Sequence, residues 1–329
     1  MRGILAAVFV SVLSLHHTTI AVTAVAMGWD NIKLNDGTEI PSVAFGTWTL
    51  GNGQQTIDNV DQALDTGFSH IDTAQAYGNE LEAGTALRDS GLKRDDIYIT
   101  TKYSGRDGLD IDTSIHNSLR NLGVNHVDLY LIHHPRLAVP DIPTAWSQME
   151  KLKSDGFTKS IGVSNFEITD LETLLDHAKV KPAANQILLH PYVWERQAPL
   201  VAFCQKHGIA VEAYSVLIPL TRQPGGPVDV PVKAIALREK VEPEQVLLAW
   251  AKSKGVVVVT SSTKKDRLQR YLDAGDLKLT DDDISAIDKA GSLGARRFTV
   301  RTFVARAVGL SLVAAAVLGA CSYMGIDLI

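Results

Sequence analysis

The chain has 329 residues, a formal charge of −5, and 45% hydrophobic against 21% charged residues. That is enough apolar material for one large core or two smaller ones, and it excludes a disordered or fibrous chain. The acidic balance gives no reason to expect nucleic acid as a partner. Two cysteines, Cys204 in a helical pattern and Cys321 in an apolar tail, suit a reducing compartment better than a disulfide framework.

In chain order, Arg2, the apolar run Gly3 to Leu15 and Ala24-Val25-Ala26 resemble a signal peptide with its cleavage site. Met27-Gly28-Trp29-Asp30 reads equally well as a natural start, so residues 1–26 stand as a cleaved leader, an anchor or an extension. Ile32 to Ile40, with Asn35-Asp36-Gly37 in its middle, predicts a β-hairpin. Eight continuous apolar runs follow: Ser42 to Gly46, Phe68 to Asp72, Ile97 to Lys102, Val127 to His133, Lys159 to Val163, Ala184 to Leu188, Ala210 to Tyr214 and Val256 to Val259. Continuous rather than alternating runs are the mark of parallel strands buried on both faces.

Between them lie helical stripes such as Ile57, Val60, Ala63 and Leu64, or Leu171, Leu174, Leu175 and Ala178. Glu244 to Lys252 has the same spacing. Eight strand–helix units behind a hairpin predict an α/β fold, a (β/α)8 barrel with a plugged bottom, over residues 27–295. The competing doubly wound sheet lacks its glycine-rich fingerprint here. From Ala307 to Ile326 the chain carries no charge, long enough to span a bilayer. Arg296, Arg297, Arg301 and Arg306 precede that run. The expectation for residues 296–329 is a tail anchor, with the barrel membrane-associated on the cytosolic side. The alternatives are a terminal helix packed on the barrel, or entry to the secretory pathway through residues 1–26.

The strands exit into polar residues: Thr47-Trp48, Asp72, Lys102, His133-His134, Ser164-Asn165, Gln186, Tyr214-Ser215 and Ser261-Ser262. Each has a structural reading, Asp72 as a helix cap or His133 as a satisfied core histidine, for example. Their joint placement at the C-terminal mouth is where barrel enzymes hold their chemistry. A phenol titrates near 10, and an adjacent ammonium lowers that value. Lys102 is therefore expected to lower the pKa of Tyr77, with Asp72 holding the lysine and His133 orienting a carbonyl oxygen. Such a set protonates an oxygen that gains charge as hydride arrives, and because no side chain delivers hydride, a cofactor is implied. No metal-ligand spacing is present, and no metal is expected.

Gly67-Phe68-Ser69-His70-Ile71-Asp72-Thr73-Ala74-Gln75-Ala76-Tyr77-Gly78-Asn79-Glu80 resembles the leading signature of the aldo-keto reductases. The same holds for Asp128-Leu129-Tyr130-Leu131-Ile132-His133-His134-Pro135, Gly162-Val163-Ser164-Asn165-Phe166 and Asn185-Gln186-Ile187-Leu188-Leu189-His190-Pro191-Tyr192. The resemblance runs in the family's order from about Asn31 to Gly291. It implies an enzyme that reduces aldehydes or ketones with NADPH, Tyr77 acting as general acid beside Asp72, Lys102 and His133. It also implies that Ser164, Asn165 and Gln186 hold the nicotinamide carboxamide. Tyr214 would stack on the ring, with Ser215 and Leu217 towards the pyrophosphate. Thr47 and Asp72 join the cofactor set, and Trp48, Tyr77, His133 and His134 line the substrate pocket.

This chain departs from the family after the last strand. Ser261 stands where many relatives carry a phosphate-binding lysine, within Val259-Thr260-Ser261-Ser262-Thr263-Lys264-Lys265-Asp266-Arg267. NADPH preference is then expected to rest on Ser262 and Arg267, with Ser261, Thr263 or Lys264 assisting. His134 replaces a common tryptophan, and the short segment Tyr103 to Asp112 leaves the pocket open, which favours small or medium aldehydes. The expected assembly is a monomeric barrel. Two other functions remain as alternatives: an NADPH-binding, membrane-associated redox sensor with little turnover, and a barrel isomerase or hydrolase without nicotinamide.

Overall fold

In the computed structural model the described residues are 28–295. The hairpin pairs β1 (Asn31–Lys33) with β2 (Glu39–Pro41), Ile32 facing Ile40. Asp36 in its turn accepts hydrogen bonds from Thr38 and from Ser160 at 2.8 Å, which ties the turn to the barrel. The barrel strands are β3 (Val43–Gly46), β4 (His70–Asp72), β5 (Tyr98–Tyr103), β6 (Val127–Ile132), β7 (Thr158–Ser164), β8 (Ala184–Leu188), β9 (Ala210–Tyr214) and β10 (Val257–Thr260). All neighbours are parallel, and β10 closes the barrel by pairing with both β9 and β3.

The observed strands match the expected runs to within one residue at each end, with one instructive exception. The run Phe68 to Asp72 forms a strand only from His70, and Phe68 enters the core as a loop residue. Gly67 ends the helix α1 (Gln54–Thr66) with φ 114, a left-handed conformation that only glycine adopts without strain, and the chain turns inward from there. Along α1, Val60, Ala63 and Leu64 are buried, as the predicted stripe requires.

Two apolar clusters hold the barrel. The large one lies between strands and helices and includes Phe45, Ile71, Ile99, Tyr130, Trp146 and Trp250. The small one lies inside the strands, where Leu34 and Ile40 of the hairpin pack with Leu129, Leu131, Ala184 and Val257. The hairpin therefore closes the bottom with side chains and leaves the opposite, C-terminal end free for polar groups. The unit pattern loosens after β9, where α7 (Ile218–Thr221), α8 (Asp229–Glu239) and α9 (Pro243–Ser253) all precede β10. A helix over residues 281–295 is fastened to the barrel by Arg238 on Asp283 and by Trp250 on Asp288.

The expectation of a barrel tethered to a membrane, or routed for secretion, is corrected. Among the described residues no helix is long and apolar enough to cross a membrane. The segments that motivated it, 1–26 and the hydrophobic C-terminal helix expected within 296–329, lie outside the described residues.

Candidate active site

The period of two along a strand decides which groups enter the barrel. His70 and Asp72 on β4, Thr100 and Lys102 on β5, and Glu212 and Tyr214 on β9 are each two residues apart. Hydrogen bonds join these sets across the interior. His70 meets Thr100 at 2.9 Å, Lys102 meets Asp72, and Gln186 on β8 reaches both Asp72 and Glu212. A polar column thus rises through an otherwise apolar barrel to a mouth cavity of about 470 Å³.

At the top of the column the Lys102 ammonium donates to both oxygens of Asp72 at 2.7 and 2.8 Å and to the Thr73 carbonyl at 2.9 Å. It also lies 3.3 Å from the Tyr77 hydroxyl. Lys102 is fully buried, and burial alone would favour its neutral form. The paired Asp72 carboxylate outweighs burial and holds its pKa above the usual lysine range. The expected lowering of the Tyr77 pKa does not appear. Burial pushes the phenol up, Lys102 pulls it down, Asp72 pushes it up again, and the net direction is upward. Burial is the largest of these effects, and the Asp72 charge offsets part of the lysine's pull on the phenol.

Beside Tyr77, the His133 ring packs edge-on at 5.7 Å between centroids. Its main chain is gripped on both sides: its N–H donates to the Tyr103 carbonyl, and its carbonyl accepts from Asn165 Nδ2. Burial, helped by the charge of Lys102, pushes the imidazole down to about 4, so it is neutral at pH 7. Its Nδ1 lies 3.0 Å from Ser104 Oγ.

The opposite wall is built from strand exits. Asn165 and Ser215, just past β7 and β9, have φ of 61 and 63. With Thr49 (φ 75) they are three cavity-lining residues held in a left-handed conformation that costs a non-glycine residue about 1–3 kcal/mol. Such strain persists only where surrounding contacts over-determine it. Here Asn165 donates to His133 and Ser164 while accepting from the Tyr214 hydroxyl at 2.8 Å. Ser164 donates to the Gln186 carbonyl. Gln186 directs its amide nitrogen at Asp72 (2.7 Å) and Glu212 (3.3 Å), an orientation that leaves its amide oxygen as an acceptor. Ser164 and Asn165 do not cap the helix α5 (Ile168–Leu175), because Glu167 and Asp170 form its capping box.

The cavity wall brings together Trp48, Asp72, Tyr77, His133, Ser164, Asn165, Gln186, Tyr214, Ser215, Leu217, Ser261 and Arg267. Other expected residues lie off it. Thr47 is buried and hydrogen-bonds Thr73 and Asn79. Lys102 stands behind Tyr77. His134 accepts from the Arg136 N–H at the start of a short turn. Ser262 Oγ accepts from the Lys264 N–H, and Thr263 is exposed beside it. Sequence reasoning missed Ser104 and Glu212. Ser104 shares the strand-exit position of the others. Glu212 is a lone acid in an apolar strand, buried with one oxygen unpartnered, and burial next to Asp72 pushes it up to about 8.

A closed parallel barrel with this polar mouth defines a class of (β/α)8 enzymes. The model of the aldo/keto reductase family matches residues 42–223 and 227–292. The chain is 40% identical over 279 residues to an NAD/NADP-dependent indole-3-acetaldehyde reductase of Schizosaccharomyces pombe, covering 82% of this chain and 96% of that protein. The crystal structure of an aldo/keto reductase from Brucella melitensis superposes with TM-score 0.71 at 38% identity, over 79% of this chain and 99% of that one. A Bombyx mori aldo-keto reductase in complex with NADP superposes with TM-score 0.72 at 32% identity, over 79% and 92% of the two chains. The chain belongs to the aldo/keto reductase family. The family match ends at residue 292, before the apolar segment, and so lends no support to a membrane anchor.

Proposed function

We propose that the mouth cavity is where an aldehyde or ketone is reduced to its alcohol, with Tyr77 supplying the proton. The observation that carries this reading is the buried Asp72–Lys102 pair set directly behind a phenol that faces the cavity beside a neutral imidazole. Bound NADPH supplies the hydride. The wall fits such a cofactor by its chemistry: Gln186 offers an acceptor for a carboxamide N–H, Tyr214 a ring face, and Arg267 a guanidinium at the cavity, its Nε 3.9 Å from Glu244. These residues, with Ser164, Asn165, Ser215 and Leu217, are the proposed cofactor contacts.

Tyr77 keeps its proton in the resting protein because burial disfavours the phenolate. As the carbonyl oxygen gains charge it becomes the stronger base and takes that proton. The Lys102 ammonium at 3.3 Å then stabilises the phenolate left behind. His133, uncharged, donates a ring N–H to the same oxygen and orients it. Trp48, half exposed at the rim, borders the substrate space, and the open mouth suits small or medium aldehydes. Residues 27–295 are the proposed catalytic unit, and a monomer would suffice for it, since one copy supplies every named side chain.

Tyr77→Phe tests the reading. NADPH oxidation with an aromatic aldehyde is expected to fall by about 10²–10⁴-fold while NADPH binding persists. Unchanged turnover in the variant sinks the assignment of Tyr77. NADPH binding without turnover in the parent, across a panel of carbonyls, would instead favour the sensor alternative, which the complete catalytic set disfavours.

A further inference from the structure

His133 must present an N–H, not a lone pair, to a carbonyl oxygen, and as a neutral ring it holds only one proton. What decides the nitrogen that keeps it is the partner of the other. Nδ1 points away from the reaction towards Ser104 Oγ at 3.0 Å. Ser104 itself has a second contact, accepting from the Ala76 N–H at 3.2 Å. Its main-chain N–H donates to Gln75 Oε1 at 3.1 Å, and Gln75 is in turn held by Ser114 at 3.3 Å. The serine is therefore fixed from both sides. A hydroxyl has one hydrogen to give, and among the described residues His133 Nδ1 is the acceptor within reach of it. If Nδ1 carried the proton instead, Ser104 would accept twice, and its own hydrogen would find no protein acceptor and would have to turn to solvent.

We propose that Ser104 is a positioning residue that donates its hydroxyl hydrogen to His133 Nδ1 and thereby locks the imidazole as the Nε2–H tautomer, the form that can donate to the substrate oxygen. The same contact fixes the ring's rotation, since its main chain is already held by Tyr103 and Asn165. Ala76, next to Tyr77, shares Ser104 as its acceptor, so the serine also couples the turn carrying the phenol to the imidazole. The proposal rests on the carbonyl-reductase reading for its purpose, but the tautomer itself is a property of the resting protein.

The full chain labelled with ¹⁵N-histidine is measured first, without substrate. A pyridine-type Nδ1 and a pyrrole-type Nε2 at His133 are expected, the resonance being assigned by its loss in His133→Gln. The reverse pattern overturns the proposal whether or not the protein reduces carbonyls. Ser104→Ala is then expected to convert the ring to a tautomer mixture and lower kcat by roughly the inverse of the Nε2–H fraction that remains, about 3–10-fold, with KM for NADPH unchanged. Ser104→Thr, which keeps the hydroxyl, is expected to recover both the tautomer and most of kcat. Turnover in Ser104→Ala within twofold of the parent, or an Nε2–H tautomer that survives the substitution, overturns it.

Discussion

Replacing Asp72 with asparagine removes the carboxylate that meets the buried Lys102 ammonium at 2.7 and 2.8 Å. The lysine then has two options. It stays charged, and a buried ion stripped of its partner costs about 3–5 kcal/mol. Or it releases its proton, which at pH 7 costs about 4–5 kcal/mol for a group that titrates near 10.4 when unfolded. The two routes agree on about 4 kcal/mol, and in a barrel of this size that corresponds to a fall in Tm of roughly 8–16 °C. If the proton is released, the native state of the variant binds fewer protons than its unfolded state between pH 7 and 10. Its stability then rises with pH across that window, and the parent shows no such rise from Lys102, whose pKa is raised in the folded state. Thermal and denaturant unfolding of the full chain read this directly. The further substitution Lys102→Met in the same chain is expected to restore most of the loss, because an apolar side chain of similar length needs no counter-charge. A double variant no more stable than Asp72→Asn alone, or a single variant within about 1 kcal/mol of the parent, would refute the argument that a stranded charge is the cost.

Two other outcomes follow from the geometry. Arg267→Leu is expected to raise KM for NADPH by about 10-fold or more while leaving KM for NADH within a factor of two, because a phosphate contact is worth more than about 1.4 kcal/mol; equal catalytic efficiency of the parent with NADH and NADPH would remove the basis for this. His70 is fully buried, and burial pushes it down to about 4, so its folded pKa lies below the unfolded value near 6.5. Its contribution to stability is present above pH 6.5 and is lost as pH falls towards 4, by up to about 3 kcal/mol. Tm measured from pH 7 to 4 should decline less steeply in His70→Gln, and an identical decline would show that other groups carry the acid sensitivity.

Strand positions, the hairpin and the polar mouth were legible in the sequence because each depends on a local period. Continuous apolar runs mark strands buried on both faces, and the residue that ends such a run emerges at the mouth whatever lies beyond it. Asp72, Lys102, His133, Ser164 and Tyr214 were found that way, and Tyr77 from its place five residues beyond the run that ends at Asp72. The start of β4 was misjudged because Phe68 is as apolar as a strand residue, while Gly67 turns the chain before it can pair. The apolar tail suggested a membrane by its uncharged length and the arginines before it, criteria that carry no information about what the barrel beside it does.

What the sequence determined by itself was the barrel, its family and the identity of the groups at its mouth, since these follow from patterns repeated along the chain. Only the tertiary structure decided how those groups act on one another. Ser104 meets His133 across 29 residues, and Gln186 meets Asp72 across 114. Neither contact has a local signature. The direction of the Tyr77 pKa is of the same kind: counting charges points downward, but the loss of water around the phenol, with the Asp72 charge offsetting part of the Lys102 pull, reverses it. Proximity and dehydration are properties of the closed barrel, and they exist only once all eight strands have met.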